Sequence, residues 1–407
     1  MIADHAKAVE PDVIRWWQDF HQHPELGNRE FRTAGIVAEH LESLGFEVRT
    51  KIAHTGVVGV LRGAKPGPVL ALRADMDALP VTEQTGLPFA STATTEWEGK
   101  EVGVMHACGH DAHTAMLMGA AQVFTNMRDA LPGTLVLIFQ PAEEGAPSGE
   151  TGGAAEMLRQ GVLDNPAPEA ILALHVAPDP LGHITYTPGA AMASADPLTI
   201  TVRGKGTHAA TPWFGIDPIV AAAQIIMGLQ AVISRRTDLA TAPAVVTIGA
   251  IHGGNRGNVI PDEVVLQGTI RALDPEVRRD LHARIRESVT AIAKAAGAEA
   301  DVHIDTDAGY PVTVNDAALT QEMVAVLERV FGAEQVYTYP PVMGGEDFSF
   351  FAERIPGFYF YLGIASPDAE EVHVNHSPHF QIDERALRHG VVALAELAFA
   401  YLTERAP

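Results

Sequence analysis

The chain of 407 residues contains a single cysteine, so no internal disulfide can form and no cysteine framework holds the fold. Positive charge is scarce: 28 Lys and Arg stand against 51 Asp and Glu, a net charge of −23 with neutral histidine. No basic patch could dominate such a field, which excludes a nucleic-acid surface and an anionic membrane surface as partners. No apolar run reaches the roughly 18 residues of a membrane span. The longest, such as VLALRADM and GTLVLIFQPA, carry charge or end within a few residues. The opening MIADHAKAVEPDVIRWW lacks a basic stretch followed by an apolar one, and so does not read as a signal peptide. Repeats, low-complexity tracts and long linkers are missing too. These absences predict a cytoplasmic, reducing location, where the one cysteine stays available as a thiolate.

What is present is enough apolar content, 47%, for a substantial core, over a length that favours two or three domains. Apolar periodicity predicts helices over 12–22 and 30–44, the second closed by Gly45, then strands over 46–51, 57–61 and 69–73. The alternation continues with a helix over 114–126, a strand over 133–140, a helix over 152–160 and a strand over 170–176. This is the order of an α/β layer with a mostly parallel or mixed sheet. The texture changes near Gly189. Strand 197–203, helix 218–234, strands 244–252 and 264–272, helix 275–296 and strand 298–306 follow in β-α-β-β-α-β order, that of a small ferredoxin-like α+β domain. Helix 316–331, strand 358–362 and helix 384–404 then resume the first pattern. The expected division is a catalytic domain in two parts, 1–189 and 307–407, interrupted by an insert at 190–306.

The one cysteine lies in Met105-His106-Ala107-Cys108-Gly109-His110-Asp111-Ala112-His113. Cys108 and His110 are two residues apart, so on an extended segment they leave the same side of the chain. Thiolate and imidazole suit a borderline-soft divalent metal. A Cys-His nucleophilic or redox pair and an inert buried thiol are the competing readings. The other candidate groups fall at the ends of predicted strands: Asp75 and Asp77, Glu143 and Glu144, and His175, with His376 in a later loop. Ligands of open α/β sheets gather beyond the carboxyl ends of strands. Cys108, His110, Glu144, His175 and His376 could together serve two metal ions, a site that polarises a carbonyl and stabilises its oxyanion. Of Glu143 and Glu144, one serves as ligand and the other as the base that takes a proton from water and hands it to a leaving nitrogen. Asp77 is placed to orient a ligating imidazole.

Four boxes in order carry a family resemblance: His21-Gln22-His23-Pro24-Glu25-Leu26-Gly27, Arg73-Ala74-Asp75-Met76-Asp77-Ala78-Leu79-Pro80, Met105 to His113, and Pro141-Ala142-Glu143-Glu144-Gly145. They resemble the HPEL, RADMDALP, MHACGHDxH and PAEEG boxes of the M20 metallopeptidase family, in its branch of N-acyl-amino-acid, hippurate-type and auxin-conjugate amidohydrolases. The resemblance spans nearly the whole chain. It implies a zinc-peptidase-like α/β catalytic domain with an inserted ferredoxin-like lid that also mediates dimerisation. It implies two divalent ions per subunit (manganese, zinc, cobalt or nickel) on Cys108, His110, Glu144, His175 and His376, with Glu143 as general base and Asp77 in support. The last ligand is assigned through the HSPxF match at His376, which leaves the neighbouring His373 and His379, like His106 and His113, structural or supporting. Asp75 stands where the wider family has a histidine ligand.

In the insert, Gly204 to Ala210 resembles the GxGxHAA segment, which makes His208 the lid histidine that helps polarise the scissile carbonyl, often from the partner subunit. Asn258, Arg271 and the Gly344-Gly345 turn resemble groups that reach the substrate, where Arg can pair a carboxylate in a bidentate way. Trp213 and Phe348 are candidates for an apolar acyl pocket. The implied partner is a small N-acyl amino acid, cleaved to a carboxylate and a free amino acid. A dipeptidase or aminopeptidase on the same scaffold is the alternative.

Overall fold

The computed structural model describes residues 1–97, 99–240 and 242–407. The chain divides into two compact units, one of Met1–Gly189, Val314–Pro340 and Phe350–Pro407, the other of Ala190–Thr313 and Pro341–Ser349. Each has its own apolar core.

The first unit is built on an eight-stranded mixed sheet. In spatial order its strands are Glu47–Ile52, Gly56–Arg62, Pro132–Gln140, Lys65–Asp75, Ala170–Pro180, Gly357–Ala365, Ile184–Tyr186 and Val336–Thr338. The four central strands run parallel, as buried strands flanked by helices do. Their register positions the chemistry. Asp75 pairs with Gln140, and the pairing of Arg73 with Ala173 brings Asp75 level with His175. Two strands therefore end beside the middle of a third. His175 was expected to end its strand, yet that strand runs on to Pro180 and pairs His175 with Tyr361. The apolar run stops at Val176, but its edges remain hydrogen-bonded beyond it.

Helices Ile2–Gln22, His110–Asn126 and Arg385–Glu404 contribute much of this core. The first begins ten residues before the expected Asp12. Pro11 lies exposed inside the helix, where water can solvate the carbonyl left without an N–H partner. Ile2, Ala6, Val9, Val13, Trp17 and Phe20 form one unbroken buried stripe across it. A hairpin, Thr94–Trp97 with Lys100–Gly103, carries no long apolar alternation and was not expected.

The second unit has a four-stranded antiparallel sheet in the order Ala244–His252, Glu263–Ala272, Ser194–Arg203, Glu299–Ile304. Helices Pro218–Arg236 and Pro275–Ala295 pack on it through Ala221, Ile225 and Leu229, and through Leu281, Ile285 and Val289. Each helix has Pro at its start behind an aspartate, Asp217 or Asp274, whose carboxylate accepts the first free N–H groups. This is the expected ferredoxin-like order.

Helices Pro218–Arg236 and Arg385–Glu404 are long and apolar enough, by length and composition alone, to cross a membrane. Isolated polar residues such as Gln224 and Gln230 interrupt the apolar run without lowering its mean hydropathy much. Both helices bury a face within their own unit, as core helices do.

Candidate metal centre

The centre is assembled at the row formed by Gln140, Asp75 and His175. After Asp75 the chain turns through Met76, whose N–H donates to the Gln140 carbonyl at 2.9 Å, and presents Asp77. After Gln140 it turns through Ala142, which adopts φ +51° without being glycine, and presents Glu143 and Glu144. Gly109, at φ +90°, opens the helix that starts with His110. A side chain there would also strike Val176, so glycine serves both the backbone and the close packing. His376 reaches the cluster from a loop at φ +70°, its N–H donating to the Ala107 carbonyl at 2.7 Å.

These turns bring Cys108, His110, Glu144, His175 and His376 together. Cys108, His110 and His175 form one group of donor atoms within 4.8 Å of one another, and Cys108, Glu144 and His376 form a second. Cys108 belongs to both. Glu143 falls in a third group with His110 and Glu144, its Oε2 4.0 Å from His110 Nε2.

Hydrogen bonds fix which atoms face inward. His175 Nδ1 lies 2.7 Å from the Val176 carbonyl and so must donate, leaving Nε2 as a lone pair 3.4 Å from Cys108 Sγ. Burial, with His113 nearby, holds His175 well below the usual histidine range. It is therefore neutral, the form that binds metal. His110 Nδ1 lies 3.1 Å from Asp77 Oδ1, which again directs Nε2 inward. The other oxygen of Asp77 accepts the Glu144 N–H at 2.9 Å. One carboxylate thus orients an imidazole and a carboxylate from separate segments.

His113 is placed differently. Its Nε2 accepts the Val176 N–H at 2.9 Å and its Nδ1 donates to Asp75 at 2.5 Å, so neither nitrogen is left for a ligand. Asp75 also takes Arg73 Nη1 at 2.6 Å. Although its burial opposes ionisation, Arg73, His110 and His113 hold it well below the usual carboxylate range. His379 donates to the Gln84 carbonyl, and its ring stands 5.2 Å from that of His373.

The donor set fits divalent ions. His110 Nε2 is fully buried and has no hydrogen-bond partner, a costly state that a cation within the cluster would relieve. Burial and Glu144 push the Cys108 thiol up, while Cys108 and Glu144 raise His376 to about 10. A field this negative attracts cations, and a coordinated thiol loses its proton. The raised thiol also argues against the cysteine-nucleophile reading, since reactive cysteines have depressed pKa values.

Asn375, not singled out by its residue type, donates to the Cys108 carbonyl at 3.1 Å and lies 3.9 Å from Cys108 Sγ. Its place beside His376 was the only available signal.

Residues 71–400 match the model of Peptidase family M20/M25/M40. The chain belongs to this family. It is 39% identical over 397 residues to thermostable carboxypeptidase 2 of Saccharolobus solfataricus, covering 97% of this chain and 96% of that one. It is 39% identical over 408 residues to IAA-amino acid hydrolase ILR1-like 2 of Arabidopsis thaliana, covering 98% and 88%. The crystal structure of the Bacillus subtilis YXEP protein, a dinuclear metal binding peptidase from the M20 family, superposes with a TM-score of 0.81 at 37% identity over 98% and 99% of the two chains. With the clustered donors, this makes the chain a hydrolase of amide or peptide bonds in small acyl or amino-acid substrates, dependent on a dinuclear divalent-metal centre.

The remaining expected site residues lie in the second unit. His208 and Asn258 come together there: His208 pairs with Val259, and the Ala209 N–H donates to the Asn258 carbonyl. His208 Nδ1 accepts the Ala210 N–H at 3.0 Å, which puts the imidazole proton on its exposed Nε2. Arg271 and Gly345 also meet, since a Cβ on Gly345 would lie 3.2 Å from Arg271 Nη1.

Proposed function

We propose that this enzyme hydrolyses N-acyl amino acids to a carboxylate and a free amino acid. The observation that carries the reading is Arg271. Its guanidinium is half-buried, which lowers its pKa, and Asp196, the acidic side chain that acts on it, is already bonded to Arg278 and His282. Such a group beside the glycine turn at Gly345 suits the α-carboxylate of an amino acid. Similarity to a hydrolase of amino acid conjugates supports an acyl group on the substrate nitrogen.

On this reading Cys108, His110, Glu144, His175 and His376 hold two ions, which when bound supply a Lewis acid for the scissile carbonyl and acidify the attacking water. Glu143 takes the water's proton and returns it to the leaving nitrogen. Asp77 keeps the His110 tautomer and the Glu144 backbone in place. His208 donates from Nε2 to the carbonyl oxygen as charge develops, and Asn258 and Gly345 contact the substrate with Arg271.

Initial rates on N-acetyl amino acids, hippurate and dipeptides test the substrate. Dipeptides turned over faster would favour the competing peptidase reading, which the carboxypeptidase similarity keeps open. Arg271→Ala should raise KM far more than it lowers kcat. Glu143→Gln should retain metal and lose most turnover; full activity would remove Glu143 as base.

The same proposal places a homodimer interface on the insert, whose edge strand Ala244–His252 exposes Val245 and Ile251. Ile251→Lys should then yield monomers in sedimentation. A lone cysteine also suits a reducing, cytoplasmic setting.

A further inference from the structure

The His21–Gly27 box and the residues just after it have no part in the chemistry above, yet they touch the turn that presents Asp77 and the turn that presents Glu143 and Glu144. The Glu25 carbonyl accepts the Ala78 N–H at 2.8 Å, one residue beyond Asp77, and Leu26 forms a bridge with Ala78. Gly27 lies against the Glu143–Glu144 turn from outside. A Cβ there would come within 2.7 Å of the Gly145 carbonyl oxygen and 3.1 Å of Ala142 Cα. Glu25 fixes the start of the next helix, its two carboxylate oxygens accepting the N–H groups of Arg32 and Thr33 at 2.9 Å. Glu30 is thereby held at the beginning of that helix and sends its side chain inward.

Glu30 is fully buried. One of its oxygens accepts the Ala142 N–H at 2.9 Å and the other the Thr55 hydroxyl at 2.5 Å. Ala142 is the residue held at φ +51°, a left-handed conformation that a non-glycine residue keeps only when its surroundings impose it. A buried carboxylate is costly, and an amide of the same shape would turn an NH₂ toward one of two donors. Burial, with Asp77 nearby, raises Glu30 to about 8, so what the turn asks of Glu30 is the place of its two oxygens rather than a fixed charge.

We propose that Glu30 is a positioning residue: it holds Ala142 in its left-handed conformation and so aims Glu143 and Glu144, with the Glu25–Gly27 backbone as the template of the turn. The proposal rests on the reading of Glu143 as base and Glu144 as ligand.

The test compares Glu30→Gln, Glu30→Asp, Ala142→Gly and the double variant Glu30→Gln with Ala142→Gly, in the full-length metal-loaded enzyme, with Glu143→Gln in parallel. Readouts are kcat and KM on the best N-acyl amino acid, melting temperature, and zinc affinity by competition with a chromophoric chelator. Loss of a group that orients ligands costs about 10- to 100-fold. Glu30→Gln should lower kcat by that factor with KM little changed, and should weaken zinc binding. Ala142→Gly alone should stay near wild type. In the double variant most of the kcat loss should be recovered, because glycine adopts positive φ without support. Glu30→Asp keeps the carboxyl group but shortens the reach, and should lose kcat similarly; it decides the matter should Glu30→Gln fail to fold. Wild-type kcat and zinc affinity in either Glu30 variant, or a lowered melting temperature with no rescue by glycine, would overturn the proposal. An active Glu143→Gln enzyme would instead overturn the reading beneath it, whatever the Glu30 variants do.

Discussion

The two donor groups that share Cys108 are built in contrasting ways. His110 and Asp75 have wholly buried side chains, and His175 Nδ1 is spoken for by a backbone carbonyl. Asp77, His113 and Arg73 pin this half from strands and a helix start. On the other side Glu144 and His376 come from turns, with side chains 15% and 55% exposed, and His376 sits at positive φ. The buried half is oriented before any ion arrives. The exposed half is held by its backbone neighbours and by the pairing of His376 Nε2 with Glu144 Oε1 at 3.0 Å. Preorganised ligands bind with less ordering cost, so the two halves should differ in affinity, and the shared thiolate should matter to both.

The largest effect is expected where the halves meet. Cys108→Ser replaces the donor common to both groups and should remove both ions from the dialysed protein. Several kcal/mol of transition-state stabilisation would go with them, roughly a thousandfold in kcat. Metal counted by plasma emission checks this. One full equivalent retained would show that the thiolate serves a single ion.

The next comparison sets the halves directly against each other. His376→Ala should keep the fold and one ion per chain, since it removes a half-exposed side chain. His110→Ala leaves Asp77 and the buried cluster short of a partner, and should cost about 3 kcal/mol of stability as well as metal. Thermal melting of the metal-free proteins separates the two. Titration of the wild type with a chelator should likewise release the ions in two steps, with activity falling in the first and returning on addition of manganese, cobalt, zinc or nickel. Equal melting temperatures and a single release step would dissolve the distinction.

Asp77 belongs to both halves through its two oxygens. Asp77→Asn keeps the shape but turns an NH₂ toward one of two donors. A loss of about 10- to 100-fold in activity or metal affinity is expected, smaller than that of Cys108→Ser.

The difference between the halves also governs what the sequence revealed. Asp75 with Asp77, Glu143 with Glu144, and Cys108 with His110 are visible because a strand end or a short turn crowds its chemistry into a few consecutive residues. The alternation of helices and strands was legible for the same local reason. The supports are not local. Glu30 meets Ala142 across 112 residues, and Asn375 meets Cys108 across 267. No periodicity marks such pairs. The φ of Ala142 or His376 is likewise a result of tertiary contact, since neither residue type demands it.

The smallest effect on turnover, and the sharpest on pH dependence, is expected at His21, behind the buried half. Its Nδ1 lies 2.7 Å from Asp111, the residue after His110, and its Nε2 lies 3.1 Å from Glu83. Burial alone would lower its pKa, but the bonds to Asp111 and Glu83 override this and raise it to about 10 from 6.5. The clamp therefore contributes fully below about pH 6.5 and is lost as pH rises through about 10. Asp111 and Glu83 are both held below their ordinary range despite burial, so the acid limit lies below theirs. His21→Gln should cost about 3 kcal/mol near neutrality by leaving two buried carboxylates without their cation. The deficit should shrink steadily between pH 6.5 and 10, because the wild type loses its clamp over that window. Urea denaturation of both proteins across this window measures the gap. A gap that stays constant with pH would mean that His21 is held neutral and merely fills space.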